Sequence, residues 1–168
     1  MKYVSVAVDG PAGSGKSTIT KMVAKSLGFN YVDTGAMYRA LTFNFLSNGL
    51  DELEEEKIKE LLSKTDFKVE YVDGVQYVYV NDVEVSDKIR TAEVSKFTSL
   101  FAKSPAVRDF LIDTQRNLAN TNNIIMDGRD IASVVLPNAD VKIFLTASVE
   151  ERARRRVLDF ERQGIENV

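Results

Sequence analysis

The chain has 168 residues, of which 44% are apolar and 28% are charged, and its formal net charge is −3. This length and composition are typical of one globular domain with a substantial core, and the small negative charge argues against nucleic acid as a partner. Because the chain contains no cysteine and no histidine, disulfides, thiolate sites, an imidazole base and histidine metal ligands are excluded.

The first residues do not resemble a signal peptide, because their apolar stretch is short and is interrupted at Asp9-Gly10. No apolar run approaches the ~20 residues that a membrane-spanning helix requires. A chain without cysteine also suits a reducing compartment. We therefore expect a cytoplasmic protein without a membrane partner.

Strands are predicted to alternate with helices at the start of the chain. A β-branched apolar run stops at Asp9-Gly10-Pro11 and predicts a buried strand. The following helical spacing ends at Gly28, a common helix terminator. Up to residue 63, the predicted elements are strands at 3–8 and 29–32 and helices at 17–27, 36–46 and 52–63.

The pattern then changes to that of antiparallel strands. Residues 67–72 and 75–80 alternate on either side of Asp73-Gly74, a strong signal for a two-residue hairpin turn. A third short strand is predicted at 83–85. Because helices flank this segment, we interpret about residues 65–86 as an insertion that is not part of the main sheet.

Helices and core strands alternate again in the last part of the chain. A helix is predicted at 91–103, and Ser104 and Pro105 are typical of the N-cap and first position of another, which runs to about residue 120. Core strands are predicted at 124–126 and 141–145, and Ser148 and Glu151 predict a capping box that opens a last helix. This order predicts an α/β domain with a parallel sheet.

The segment between the first strand and the first helix matches the phosphate-binding motif G-x-x-x-x-G-K-[ST]. Its glycines let backbone N–H groups turn inward on a polyphosphate, and the helix N-terminus adds its dipole. Lys16 would reach the β- and γ-phosphates, and the Ser17 hydroxyl would ligate Mg²⁺. The strand before the motif and the helix after it disfavour a chance glycine-rich turn. The predicted ATP-binding residues are Gly10, Pro11, Ala12, Gly13, Ser14, Gly15, Lys16, Ser17 and Thr18.

A second anion-binding segment is predicted where the second strand becomes a helix. The Thr34 hydroxyl and nearby helix N–H groups could hold an anion, and Arg39 lies one turn further on, within reach of it. An ordinary N-cap followed by a solvated arginine explains the same residues, and this segment alone leaves both readings open.

The third core strand ends in Asp127-Gly128-Arg129-Asp130, at the position where α/β sheets hold ligands. We predict that Asp127 holds Mg²⁺ through water and that Arg129 contacts a phosphate. Asp130 offers a carboxylate that can accept from an amine such as N4 of cytosine. A turn with a surface ion pair is the weaker reading, because two acids and an arginine surround one glycine.

An arginine run follows the fourth core strand. On a helix, Arg152, Arg155 and Arg156 fall on one side, whereas Arg154 points elsewhere. Such runs are usually solvated faces with pairs to glutamate. In a phosphate-loop kinase, however, they are expected to be lid arginines that close over the transferred phosphoryl group.

Several longer segments together resemble the bacterial cytidylate kinase family. They are DGPAGSGKST, YVDTGAMYRA, IRTAEVS, VRDFL, MDGRDIASVVLPNADVKIFLTAS and EERARRR, and the resemblance runs in order over nearly the whole chain. It implies the three-layer fold of P-loop NTPases with a parallel sheet, plus an inserted monophosphate-binding domain with a small antiparallel element. The implied division is a core at 1–32 and 121–148, a monophosphate-binding region at 33–120 and the start of a lid at 149–168. Family members continue beyond this point, so the resemblance also implies a truncated chain with an incomplete lid and an unpaired sheet edge.

The resemblance also implies roles for single residues. Thr34, Arg39 and Arg129 correspond to contacts of the acceptor phosphate, and Ser99, Arg108 and Asp130 correspond to contacts of cytosine. Ser99 and Arg108 carry no signal of their own. The implied catalytic residues are Lys16, Arg129, Arg152 and Arg156.

The implied reaction is transfer of the γ-phosphoryl group from Mg·ATP to CMP or dCMP by a monomer. The acceptor is already an anion, so a chain without histidine can catalyse the transfer by alignment and charge neutralisation. Other small-molecule kinases, of the uridylate or shikimate type, remain alternatives. So do a nucleotide-binding fragment inactive through truncation and a GTPase-like switch, although no N-K-x-D guanine signature is present.

Overall fold

The computed structural model of the protein describes residues 2–162. The strands in chain order are β1 (Ser5–Asp9), β2 (Asn30–Asp33), β3 (Phe67–Val72), β4 (Val75–Val80), β5 (Val83–Glu84), β6 (Ile124–Gly128) and β7 (Val141–Phe144). The helices are α1 (Lys16–Leu27), α2 (Thr34–Ser47), α3 (Glu55–Ser63), α4 (Ala92–Phe101), α5 (Pro105–Thr121) and α6 (Val149–Arg162). Within the described residues, none of these helices is long and apolar enough to cross a lipid bilayer.

Four strands form the predicted parallel sheet, in the order β2-β6-β1-β7. Asp9 of β1 pairs with Gly128 of β6, and Asp33 of β2 pairs with Asp127 of β6. The carboxyl ends of these three strands are therefore level, which brings their acidic residues to one edge of the sheet. β7 is an outer strand, and all four of its residues are exposed.

Helices cover both faces of the sheet, which confirms the three-layer architecture. Neighbouring residues of a strand point to opposite faces. Val32 and Met126 join the large core built with α2, α3 and α5, whereas Tyr31 and Ile125 pack with Ala24 of α1. β2 and β6 are therefore apolar on both faces, as the continuous apolar runs in the sequence predict.

The predicted insertion is a separate antiparallel sheet in the order β3-β4-β5. Asp73 and Gly74 have φ values of 51° and 76°, the positive pair that a tight hairpin turn requires. Val78 and Val80 of β4 pack against Ala36 of α2. The hairpin prediction is confirmed, and the insertion lies against the helix that follows β2.

Several helix limits differ from the predicted ones. α2 begins at Thr34, two residues earlier than predicted, because the Asp33 carboxylate accepts a 2.9 Å hydrogen bond from the Ala36 N–H group and so caps the helix. α3 begins only at Glu55, so the predicted start at residue 52 was wrong. The predicted N-cap at Ser104 is confirmed, since its hydroxyl accepts from the Val107 N–H group at 3.3 Å.

A single turn of π-helix at Ile131–Val135 was not predicted. Its first two N–H groups, those of Ile131 and Ala132, donate hydrogen bonds of 2.8 Å to the Asp9 carboxylate. Asp9 lies more than a hundred residues earlier in the chain. A cap supplied from so far away leaves no local pattern in the sequence.

Candidate active site

The loop between β1 and α1 has the conformation that a phosphate-binding motif requires. Gly10, Gly13 and Gly15 have φ values of 150°, 76° and 90°. A Cβ atom at Gly10 would lie 2.0 Å from the carbonyl oxygen of Leu145, so no larger residue fits there. The remaining predicted ATP-binding positions lie on this loop and the first turn of α1, where Ser14 is buried, Pro11 is half-buried, and Ala12 and Thr18 are exposed.

Lys16 places its charge across this loop. Its ammonium group donates to the carbonyl oxygens of Gly10 at 2.7 Å and Pro11 at 3.1 Å. Burial lowers the pKa of Lys16, an effect that Asp127 opposes and Arg129 reinforces. Arg129 itself is exposed.

Ser17 and Asp127 form a second polar contact beside the loop. The Ser17 hydroxyl donates to Oδ2 of Asp127 at 2.8 Å. Asp127 is only 4% exposed, and burial raises the pKa of its carboxyl group, whereas the Ser17 hydrogen bond lowers it. Among the described residues, no group of three or more acidic, histidine or cysteine side chains forms a metal cage. The site therefore offers two oxygen ligands rather than a closed metal site.

Thr34 is placed at the same strand end but is turned inward. It is 4% exposed, and its hydroxyl donates a 2.8 Å hydrogen bond to the backbone oxygen of Asp127. The close approach depends on Gly128, because a Cβ atom there would lie 2.9 Å from Thr34 Oγ1. In this arrangement the hydroxyl proton is directed to a carbonyl oxygen, so only the oxygen lone pairs remain for a ligand.

Asp33 brings two arginines together at the end of β2. Its Oδ2 atom lies 3.3 Å from the Arg39 guanidinium and 3.7 Å from that of Arg90. Two cations on one carboxylate leave a net positive charge and free N–H groups, which suits an anionic ligand. Arg39 was predicted to lie here. Arg90 was not, although it belongs to one of the segments on which the family resemblance rests.

Asp130 and Arg108 form an ion pair between the end of β6 and the first turn of α5. The two predicted cytosine contacts are therefore adjacent in the structure. Arg108 holds Oδ2 of Asp130, which leaves Oδ1 for another donor. Burial raises the pKa of the Tyr38 phenol, and the charge of Arg108 opposes that shift. Ser99, the third predicted contact, lies on an exposed part of α4.

Helix α6 packs against the phosphate-binding loop. A Cβ atom at Gly13 would lie 3.3 Å from the Cβ atom of Arg152, so the loop and the helix are in contact. Arg155 donates to the carbonyl oxygen of Gly13 at 3.2 Å and to Glu151 at 2.6 Å. The Arg156 side chain, which was predicted to be catalytic, lies outside the described residues. Arg155 was not among the predicted site residues, although its spacing from Arg152 had placed both on one helix face.

The site residues thus lie on one edge of the parallel sheet. The loop after β1 presents Lys16 and Ser17, the end of β2 presents Asp33 with its arginines, and the end of β6 presents Asp127 and Asp130. The loop that matches the phosphate-binding motif and the two arginines on Asp33 therefore lie at the same edge of the sheet. This arrangement suits transfer of a phosphoryl group between two bound nucleotides or metabolites.

Comparison with known proteins agrees with this arrangement. The model of the family described as "Cytidylate kinase" matches residues 6–168. The chain is 51% identical over 165 residues to a cytidylate kinase of Leuconostoc mesenteroides, covering 98% of this chain and 74% of that protein. It is 48% identical over 164 residues to one of Caldicellulosiruptor bescii (98% and 73%) and 47% identical over 165 residues to one of Bacillus subtilis (98% and 74%). The chain therefore belongs to the cytidylate kinase family.

Proposed function

We propose that this chain transfers the γ-phosphoryl group of ATP to CMP or dCMP, giving ADP and CDP or dCDP. The observation that carries this proposal is the position of the Arg108–Asp130 pair at the same sheet edge as the phosphate-binding loop. One of these sites suits a polyphosphate, and the other suits a base that carries both a hydrogen-bond donor and acceptors. Family membership supports the same reaction.

The acceptor base is assigned by donor and acceptor chemistry. Cytosine carries an amine at N4, beside acceptors at N3 and O2. The free carboxylate oxygen of Asp130 can accept from that amine, while Arg108 can donate to the neighbouring acceptors. Uracil carries a carbonyl oxygen at the position of this amine, and that oxygen would face the Asp130 carboxylate. The pair therefore favours cytidylate over the uridylate alternative.

Phosphoryl transfer needs no general base here, because the acceptor phosphate is already a nucleophilic anion. The chain's own groups would align the two phosphates and neutralise charge. We assign the donor phosphates to the loop and Lys16, and the acceptor phosphate to Thr34, Arg39 and Arg129. For Thr34 this contact requires the hydroxyl to turn from the Asp127 carbonyl oxygen, to which it donates at 2.8 Å, because a phosphate anion can only accept a hydrogen bond. Arg152 and Arg156 are proposed to act from the lid.

Ser17 and Asp127 are the residues that would hold Mg²⁺, with Asp127 acting through a bound water. The fit is chemical: a hydroxyl and a carboxylate lie 2.8 Å apart, and both are oxygen ligands. Magnesium in such enzymes is held mainly by substrate phosphates, water and one or two protein oxygens rather than by a protein cage. The ion would supply positive charge that offsets the charge of the phosphates.

The division of the chain is part of this proposal. We assign residues 1–32 and 121–148 to the nucleotide-binding core, 33–120 to acceptor binding and 149–168 to the lid. We also propose that the protein acts as a monomer, because opening and closing about the acceptor requires free surfaces on both sides. A cytoplasmic location is proposed because ATP and CMP are metabolites of that compartment.

A coupled ADP-release assay tests the function, using Mg·ATP with CMP, dCMP, UMP, AMP or GMP in turn. ADP formation with the two cytidine nucleotides alone is the expected result, and Lys16→Met should abolish it. Turnover with another acceptor instead would overturn the cytidylate assignment. Binding of CMP in calorimetry without turnover would favour the inactive-fragment alternative.

A further inference from the structure

The antiparallel sheet is attached to the edge of the parallel sheet by a side-chain amide. Oε1 of Gln76, on β4, accepts from the Asp33 N–H group at 2.8 Å, and its Nε2 donates to the Asp33 carbonyl oxygen at 3.2 Å. β2 is an outer strand of its sheet, so these backbone groups have no neighbouring strand on that side. The Gln76 amide therefore takes the place of one peptide group of a missing neighbour strand.

A second residue contacts the side chain of Asp33. Arg90 follows the antiparallel sheet and lies 3.7 Å from Oδ2 of Asp33. That carboxylate also accepts from the Ala36 N–H group and from Arg39. Asp33 is thus held through its backbone by Gln76 of the insertion and through its carboxylate by Arg90, which follows the insertion, and it holds Arg39 in turn.

Apolar contacts join the same two parts of the molecule. Val78, Val85 and Ile89 pack with Ala36 and Ala40 of α2, and such contacts are non-directional. A cavity of about 630 Å³ lies beside this contact, and both Gln76 and Arg90 line it. Close packing therefore does not extend across that side of the contact, where Gln76 and Arg90 supply directional polar contacts to Asp33.

We propose that Gln76 and Arg90 are positioning residues for the acceptor nucleotide. By docking the antiparallel sheet on Asp33, they fix the carboxylate that orients Arg39. The proposal rests on the proposed function in one respect, namely that Arg39 receives the acceptor phosphate. Neither Gln76 nor Arg90 needs to touch the reacting atoms. Their loss therefore weakens acceptor binding and leaves the ATP site on the opposite side of β6 intact.

The docking is tested first by hydrogen exchange on the protein without nucleotides. Gln76→Met keeps the length of the side chain and removes both hydrogen bonds. The amide of Asp33 should then exchange about tenfold faster, the factor expected when one or two hydrogen bonds are lost. Glu70→Gln is the matched control, because Glu70 is an exposed residue of the same hairpin. Unchanged exchange at Asp33 in Gln76→Met would overturn the docking.

Steady-state kinetics test the positioning. In Gln76→Met we expect the KM for CMP to rise about threefold to tenfold, the effect of about one hydrogen bond, with kcat and the KM for ATP within about twofold of the unaltered protein. Arg90→Met should act in the same direction, and Arg90→Lys should restore part of the loss by returning the charge to Asp33. Equal rises of both KM values would instead indicate general loosening of the fold and would overturn the proposal.

The double variant Gln76→Met/Arg90→Met tests whether the two residues affect CMP binding through Asp33 or independently of each other. Because both residues act through Asp33, its KM for CMP should rise by less than the product of the two single effects. A rise in KM equal to that product would mean that the two residues act independently, and it would overturn the proposal that both act through Asp33. If the unaltered protein uses no cytidine nucleotide, the proposed function fails, whereas exchange at Asp33 still decides the docking.

Discussion

The hydroxyl of Ser17, in the first turn of α1, donates a 2.8 Å hydrogen bond to the buried carboxylate of Asp127 at the end of β6. This contact joins the phosphate-binding loop to the strand beside it. Burial raises the pKa of Asp127, and Ser17 and Lys16 oppose the shift. The fold therefore holds a carboxylate in a place where its charge is unfavourable, which is typical of a group retained for function at a cost in stability.

Replacing this carboxylate should raise the stability of the protein and lower its activity. Asp127→Asn removes the buried charge, and its amide oxygen can still accept from Ser17. We expect Tm to rise by about 2–4 °C, the shift that about 1 kcal/mol produces in a chain of this size. We expect kcat to fall about tenfold to a hundredfold, as when an outer-sphere metal partner is lost. Thermal unfolding and the ADP-release assay measure the two effects, with Asp113→Asn as an exposed control.

The difference in Tm between Asp127→Asn and the unaltered protein should increase with pH. A carboxyl group whose pKa is raised in the folded state favours folding most below its ordinary pKa of 3.8, and this contribution is lost as pH rises through the folded value. The excess Tm of Asp127→Asn should therefore be near zero below that pH and reach its full size above the folded pKa. An excess that grew on acidification would contradict the burial explanation.

Asp130 should control which acceptor is used. In Asp130→Asn the ion pair with Arg108 is lost, and the amide no longer presents a charged acceptor to the cytosine amine. We expect kcat/KM for CMP to fall about tenfold to a hundredfold, in the range of one specific base contact of 1–3 kcal/mol. The KM for ATP should stay within about twofold. Asp109→Asn is the matched control, because Asp109 is exposed and adjacent to Arg108 in sequence. An equal loss in both variants would refute base recognition by Asp130.

Local signals made much of the fold predictable. The hairpin followed from Asp73-Gly74, because few residue pairs accept two positive φ values, and the start of α5 followed from Ser104 and Pro105. The parallel sheet followed from apolar runs separated by helical patterns. Each of these inferences depends on residues within one turn or one strand of the element concerned.

The parts that could not be predicted depend on contacts between distant segments. The π-helical turn after Asp130 is capped by Asp9, and the inward turn of the Thr34 hydroxyl depends on the register of β2 beside β6. Arg155 could not be separated from its neighbours, because a run of arginines does not reveal which member meets the loop. The docking of Gln76 on Asp33 could not be predicted either, because a single glutamine in a strand does not indicate which distant residue it contacts.

Gly10 should be the least replaceable residue of the phosphate-binding loop. In Gly10→Ala the new Cβ atom would meet the backbone oxygen of Leu145 at 2.0 Å, and a backbone atom cannot move aside as a flexible side chain can. We expect a loss of about 3 kcal/mol in the free energy of unfolding. Gly49→Ala is the control: φ is also positive, at 74°, but the space around it is open, so about 1–2 kcal/mol of backbone strain is expected. Urea unfolding measures both, and equal losses would exclude the clash as the cause.

Arg154 and Arg155 offer a matched pair for testing what the arginine run does. Both guanidinium groups bind Glu151, and together they lower the pKa of that carboxyl group to about 2. Of these two arginines, only Arg155 also donates to the carbonyl oxygen of Gly13, whereas the Arg154 side chain is 63% exposed.

If the contact with the loop matters, Arg155→Gln should raise the KM for ATP about fivefold to tenfold, the effect of about one hydrogen bond. Arg154→Gln should change it by less than about twofold, since an exposed ion pair contributes little. Similar KM values for ATP in the two variants would instead mean that the run is a solvated helix face and that α6 is held on the loop by the backbone packing of Arg152 against Gly13.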